Sequence, residues 1–341
     1  MPFWWPFPVA AALIIAALTT PLVARFARLH GVVDAPDGAR KLHAKATPLL
    51  CGVAIYFGFA IPTLIVLGVS DHVTSGEIDV RHVLGVLAGG LVLMVGGALD
   101  DRYNLRPKFA VIAPIIAACI VVAVGISVDK ITNPLGGTIA IASSLSSVLV
   151  FVWILGMTYT TKILDGLDGL SGGVTAIGAA MIAALALSTA YFQPDVALLA
   201  LIFLAAIIGF LLWNWHPARV FMGEGGSTFL GFTLGSLAVI SGSKVATALL
   251  VMGIPALDVG IVIIRRLLAR KHPFATADRL HVHHLLLRLR LNEGQAVIAY
   301  CAVALALGIT GLMASSWQKI AVLGILAVVV SILVHRILKR L

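Results

Sequence analysis

Five acidic residues stand in tight groups where chemistry is plausible: Asp100 and Asp101 in GGALDDRYNLRPK, Asp165 and Asp168 in KILDGLDGLSGG, and Glu224 in MGEGGS. Neighbouring carboxylates repel, and a divalent cation is the usual reason to gather them. Asp100 and Asp101 close an apolar run. Acids at a helix C-terminus oppose the macrodipole, which argues against simple capping, although a polar helix end is the plain alternative. The repeated Asp-Gly of Asp165 and Asp168 reads as a turn, whose glycines permit close approach of a ligand or a neighbouring backbone. At helical spacing the two carboxylates would instead share one face; an ordinary loop is the bland reading.

The segment NWHPARVFMGEGGSTFLG, from Asn214 to Gly231, leads into another apolar run. Its glycine-rich start offers backbone N–H groups and the positive end of a helix dipole to an anion. Glu224 within it is a hard oxygen ligand suited to Mg²⁺. Phe221 could stack on a planar base, or simply pack. Two basic clusters accompany the acids. Arg279, His281, His283 and His284 lie in DRLHVHHLLLRLRL; the spacing is not that of a zinc site, and an anionic or sugar-bearing substrate is the better ligand. Arg40, Lys41, His43 and Lys45 lie in GARKLHAKATP, as substrate contacts or as topogenic charge. Asp258, inside an apolar run, is a functional candidate or an anchor toward Arg265.

The elements that must position these groups are membrane helices. The 341 residues are 60% hydrophobic and only 11% charged, with mean hydropathy +1.06; an ordinary soluble domain is about 25% charged. That excludes a soluble enzyme, a disordered chain and a collagen-like chain. Apolar runs fall near 5–24, 48–69, 83–99, 109–128, 145–163, 173–190, 195–213, 227–243, 245–264, 294–314 and 320–335. The expectation is an all-α polytopic integral membrane protein of about eleven transmembrane helices, a single domain over 1–341 without repeats. With the N-terminus outside, 20 of the 24 Lys and Arg fall on the inner side, giving N-out, C-in and a cytoplasmic active site in the cell membrane. The net charge of +9 then reflects topology, and no nucleic acid is expected.

Smaller expectations follow. The first run lacks a basic flank and is not expected to be a cleaved signal peptide. Trp4, Trp5 and Phe7 suit an interfacial anchor. Asp71, Glu77, Asp79, Asp129 and Asp195 look dispersed and solvated, Asp129 to Ser144 suits a small hairpin, and Cys51, Cys119 and Cys301 suit core positions.

Taken in order, RKLH at 40–43, DDRYNLRPK at 100–108, LDGLDGLSGG at 164–173, NWHPARVFMGEGGSTFLG at 214–231, PALD at 255–258 and ADRLHVHH at 277–284 resemble the polyprenyl-phosphate N-acetylhexosamine-1-phosphate transferases. The histidine motif and the span number look like the branch that transfers GlcNAc-1-phosphate, rather than the phospho-MurNAc-pentapeptide branch. The resemblance implies transfer from a UDP-N-acetylhexosamine to undecaprenyl phosphate with release of UMP, dependent on Mg²⁺ or Mn²⁺, at the start of cell-envelope glycan synthesis such as lipopolysaccharide or teichoic acid. It implies Asp100, Asp101 and Asp165 as catalytic, and Asp100, Asp165 and Glu224 around the metal. It implies Asp168 and Phe221 toward the uracil, with Arg40, Lys41, His43, Lys108, Lys162, Asn214, Arg279, His281, His283 and His284 as further substrate contacts. A lipid phosphate with a second pKa near 6 is largely a dianion at pH 7, so a general base is not strictly required.

Two departures from the family pattern stand out. Tyr159 and Lys162 stand where it usually has an Asn pair, and Glu224 stands for the usual Asp. An ammonium cannot ligate a metal, so Lys162 is expected to contact the diphosphate, and the two changes are expected to offset one another. A secondary transporter is the competing class, but its polar groups would sit near the midplane and show repeats. A CDP-alcohol phosphotransferase would need a longer Asp-Gly-x-x-Ala-Arg pattern, absent here. The apolar spans leave room for a homodimer, which no motif supports.

Overall fold

The computed structural model describes residues 3–35, 46–74, 76, 78–132, 137–189, 191–242, 245–268, 287 and 291–338. Every apolar run carries helix. In chain order these are α1 (Pro6–Leu29), α2 (Gly52–Val69), α3 (Val80–Tyr103), α4 (Pro107–Ala110), α5 (Ile112–Ala123), α6 (Ser143–Leu164), α7 (Leu170–Leu187), α8 (Pro194–Asn214), α9 (Gly223–Ile240), α10 (Val245–Val251), α11 (Gly253–Leu268), α12 (Glu293–Met313) and α13 (Ser316–Leu338). Among the described residues, seven of these helices are long and apolar enough to cross a membrane: α1, α2, α3, α6, α7, α8 and α12. The chain is a helical polytopic membrane protein. Two runs that looked continuous are each broken into a helix pair, α4 with α5 and α10 with α11.

Sheet is confined to two small antiparallel pairs. The expected hairpin is present, β3 (Lys130–Thr132) against β4 (Thr138–Ala140), with Ile131 opposite Ile139. The other pair joins β1 (Val33–Asp34) to β2 (Thr47–Pro48), with Val33 opposite Pro48.

Helix α9 is the axis of the bundle. Every residue from Gly225 to Val239 is buried, and α9 packs on α2, α3, α6 and α7. A helix buried all round has no solvent or lipid face to satisfy, hence its unbroken apolar and small-residue sequence. Small residues set the approach. A Cβ at Gly97 of α3 would run into the backbone of Gly225, and one at Gly231 into the Met157 carbonyl of α6. Close backbone approach of this kind is how apolar helices associate in lipid, where the hydrophobic effect does not help. Cross-helix hydrogen bonds add to it: Trp153 Nε1 donates to the Gly235 carbonyl (3.0 Å), Tyr56 Oη to Leu87 (3.1 Å) and Trp213 Nε1 to Ala17 (2.9 Å). Each is worth about 0.6–2 kcal/mol in a bilayer. Phe59, Phe203 and Phe229 meet edge-on in the middle, with centroids 5.6–6.2 Å apart.

Overpacking the α3–α9 contact is therefore costly. Gly97→Ala is expected to lose about 1–3 kcal/mol, read as a lower unfolding temperature in detergent. Gly68→Ala, with nothing within 4 Å of the new Cβ, is expected to match the wild type.

The structure corrects several expectations. Asp195 is not solvated but buried, one oxygen accepting from the Val196 N–H (2.8 Å) in the first turn of α8. Its place in that turn favours an acid through the helix dipole. Trp5 is buried, so the interfacial anchor reduces to Trp4 and Phe7. Trp4 stands edge-on to His72 (4.5 Å). Of the cysteines only Cys51 is buried; Cys119 is exposed and Cys301 is intermediate. Apolar periodicity cannot separate a lipid-facing cysteine from a core one, because both sit in equally apolar sequence.

Candidate active site

One end of the bundle gathers the C-terminal ends of α3, α6 and α8 and the N-terminal ends of α7, α9 and α12. The turn that starts α9 organises it. Gly223 has φ +72°, and a Cβ there would strike the Asp101 carboxylate. Only glycine meets both conditions. The tight turn lets the Glu224 N–H donate to Asp101 Oδ1 (3.0 Å). Asp101, in the last turn of α3, thus caps a neighbouring helix rather than its own, and an acid there is favoured by the α9 dipole. Its carboxylate is buried and also feels the Leu50 backbone N–H. The β2 segment is laced to the same turn, Phe221 N–H to the Pro48 carbonyl (2.9 Å) and Gly52 N–H to Met222 (2.9 Å).

Lys162, in the last turn of α6, reaches across to Glu224, with Nζ 2.5 Å from Oε1. The ammonium also lies 5.6 Å from the Tyr159 ring centroid. Lys162 and Glu224, which both depart from the family pattern, are therefore in direct contact, and Tyr159, the third such position, lies beside the ammonium.

Asp165 ends α6, and the chain turns through 165–169 before α7. Asp165 and Asp168 thus lie in a turn, not on a helix face. Burial, reinforced by the negative charges of Glu224, Asp101 and Asp168, pushes the Asp165 carboxyl up to about 7. Asp100 faces differently: its Oδ1 accepts from the Leu105 N–H (2.8 Å), closing the end of α3. Its charge still acts on Glu224 and on Asp101.

Asp168 belongs to a second cluster that sequence reasoning missed. Its Oδ2 accepts from the Ala218 N–H (2.8 Å) and lies 3.2 Å from His216 Nδ1. Its own N–H donates to Glu293 Oε1 (3.2 Å), and His216 is 3.6 Å from Glu293 Oε2. These three residues are also, among the described residues, the His, Cys, Asp or Glu group whose ligand atoms lie within 4.8 Å of one another. Asp100, Asp165 and Glu224 do not close to that spacing. The cluster ties the 165–169 turn to the α8–α9 connection and to α12. The only hint in the sequence was His216 inside NWHPAR; Glu293 carried none.

Asn214, at the end of α8, is buried, donates to the Val220 carbonyl (2.9 Å), and leaves Oδ1 unpartnered. Lys108 is exposed, its Nζ 5.0 Å from the Phe109 ring. Asp258 is buried in α11. Arg40, Lys41, His43, Lys45, Arg279, His281, His283 and His284 lie outside the described residues.

This end of a helical membrane bundle matches a known family. Residues 83–242 match the family described as glycosyl transferase family 4. Over 338 residues the chain is 31% identical to a Bacillus subtilis (strain 168) protein named "Probable undecaprenyl-phosphate N-acetylglucosaminyl 1-phosphate transferase", covering 95% of this chain and 91% of that one. It is 30% identical to the decaprenyl-phosphate N-acetylglucosaminephosphotransferase of Mycolicibacterium smegmatis, covering 95% and 86%. It is 28% identical to the undecaprenyl-phosphate alpha-N-acetylglucosaminyl 1-phosphate transferase of Escherichia coli O157:H7, covering 90% and 84%. The chain belongs to glycosyl transferase family 4 and is a phosphoglycosyltransferase.

Proposed function

We propose that this chain transfers an N-acetylhexosamine-1-phosphate, GlcNAc-1-phosphate first, from a UDP-sugar to undecaprenyl phosphate and releases UMP. The reading places the reaction at the cytoplasmic face of the cell membrane, N-out and C-in with about eleven spans, as the opening step of a cell-envelope glycan. The observation that carries it is the set Asp101, Asp165, Lys162 and Glu224 gathered at one end of a membrane bundle. That end also carries Arg28, Arg102, Arg106 and Arg219, at the tails of α1, α3 and α8. Two anionic substrates, one of them lipid-tailed, need charge neutralisation at a bilayer surface. The relatives' names, which specify polyprenyl phosphates and N-acetylglucosamine phosphate, point the same way.

A Mg²⁺ ion fits the donor set. The groups are hard carboxylate oxygens, and the Asp165 carboxyl carries an excess of negative surroundings from Glu224, Asp101 and Asp168. Asp100, Asp165 and Glu224 would hold it. When bound, the cation would neutralise and align the diphosphate. The chain's own residues do the rest. The lipid phosphate oxygen attacks the β-phosphorus in line, and the bond to the α-phosphate oxygen breaks as UMP departs. Asp168, clamped by Ala218 and His216, presents its remaining edge to the base. Asn214, at the end of α8, keeps a buried Oδ1 without a hydrogen-bond partner.

Purified protein with undecaprenyl phosphate and a panel of UDP-sugars is expected to release UMP with UDP-GlcNAc, and to stop in EDTA. Release with UDP-MurNAc-pentapeptide alone, or without polyprenyl phosphate, would overturn the reading.

A further inference from the structure

Lys162 and Glu224 set this centre apart from an all-oxygen cation site. The ammonium sits 2.5 Å from Glu224 Oε1, and the two side chains are only 31% and 17% exposed. The ammonium holds Oε1, and a divalent cation on either oxygen of the same carboxylate would face its charge at close range; two cations on one carboxylate repel. Glu224 is anchored, since it sits in the first turn of α9 with its N–H held by Asp101. Lys162 is on a long flexible stem in the last turn of α6, with the Tyr159 ring as a second resting surface. Of the two partners, the lysine is the one free to move.

We propose that Lys162 is the resident counter-ion of Glu224 and has to leave before Glu224 can ligate a divalent cation, so that metal loading exchanges an ammonium for a metal. This rests on the metal-dependent reading above. The displaced ammonium needs an anion, and a donor diphosphate arriving with the cation is one; loading and donor binding then favour each other. In the metal-free protein the same pair keeps Glu224 compensated among Asp100, Asp101 and Asp165. Of the three proposed ligands, Glu224 is engaged by Lys162 and Asp100 by the Leu105 N–H.

The test is Mn²⁺ binding by electron paramagnetic resonance to the full chain in detergent, with no substrate, for wild type, Lys162→Met, Glu224→Gln and the double variant. Lys162→Met is expected to bind Mn²⁺ about tenfold more tightly than wild type, the scale of a partly enclosed ion pair. Lys162→Gln is expected to do the same, which guards against a packing artefact of methionine. In the Glu224→Gln background, removing the lysine is expected to change affinity by less than about twofold, because there is no longer a ligand to release. An equal gain in both backgrounds would mean that Lys162 acts only through its field, and would overturn the exchange. Unchanged affinity in both lysine variants would overturn it as well. Failure of all the proteins to bind Mn²⁺ would instead remove the metal-dependent reading itself.

Discussion

Asp165→Asn is expected to lower turnover about 10³-fold, the scale of losing one group that stabilises transferring charge, with the fold intact. Asp165 ends α6 at the centre of the acid group, and burial and the charges of Glu224, Asp101 and Asp168 push its carboxyl up to about 7. That shift has a sign. A folded-state carboxyl raised from 3.8 to about 7 holds a proton that the unfolded chain releases. The metal-free protein should therefore lose stability as pH rises through about 7, and gain it below. A divalent cation competes with that proton. Thermal unfolding in detergent is expected to show a larger Mg²⁺-induced rise at pH 8 than at pH 6. In Asp165→Asn the pH dependence and the Mg²⁺ effect should both shrink. A stability profile flat from pH 6 to 8 in the metal-free wild type would contradict this account of Asp165.

Glu224→Gln is the second large effect. It keeps the size of the side chain, removes the negative charge and strands the Lys162 ammonium, now 31% exposed beside a neutral amide. Turnover is expected to fall about 10²-fold or more, since a hard-cation site loses a charged oxygen ligand. Added Mg²⁺ should restore little, because what is lost is the alignment of the bound cation with the diphosphate, which saturation does not supply. The partner substitution distinguishes ligand from packing. Combining Lys162→Asn with Glu224→Asp restores the pair the family usually carries, and is expected to be more active than either single variant. UMP release across a Mg²⁺ titration measures both. Near-wild-type turnover of Glu224→Gln at low Mg²⁺ would remove Glu224 from the site.

Much of this was legible in residue order. Membrane composition dictated helices, and each apolar run is one helix or a broken pair. The acid groups were legible because repelling charges placed side by side demand a reason. The Asp-Gly repeat read correctly as a turn, since glycine after an acid punctuates a helix. What stayed hidden was pairing across long separations. Lys162 and Glu224 are 62 residues apart, and Asp168 and Glu293 are 125 apart. Neither contact has a periodic signature, because it exists only once α6, α9 and α12 share an end. The burial of Asp195 was hidden for the same reason: an acid beside a predicted loop looks solvated until a distant segment packs over it. Gly76, in the α2–α3 connection, approaches closely enough that a Cβ there would meet the Asp195 carboxylate.

The central claim is that this centre cleaves between the two phosphates of a nucleotide-sugar and sends the sugar-bearing phosphate to the lipid. The most direct measurement follows the β-phosphorus. Purified wild-type protein is given UDP-GlcNAc labelled at that atom, together with undecaprenyl phosphate and Mg²⁺. The account predicts label in the organic-extractable lipid, matched mole for mole by unlabelled UMP. Label remaining in the aqueous phase as UDP, with unlabelled sugar on the lipid, would mean attack at the sugar carbon and would contradict it.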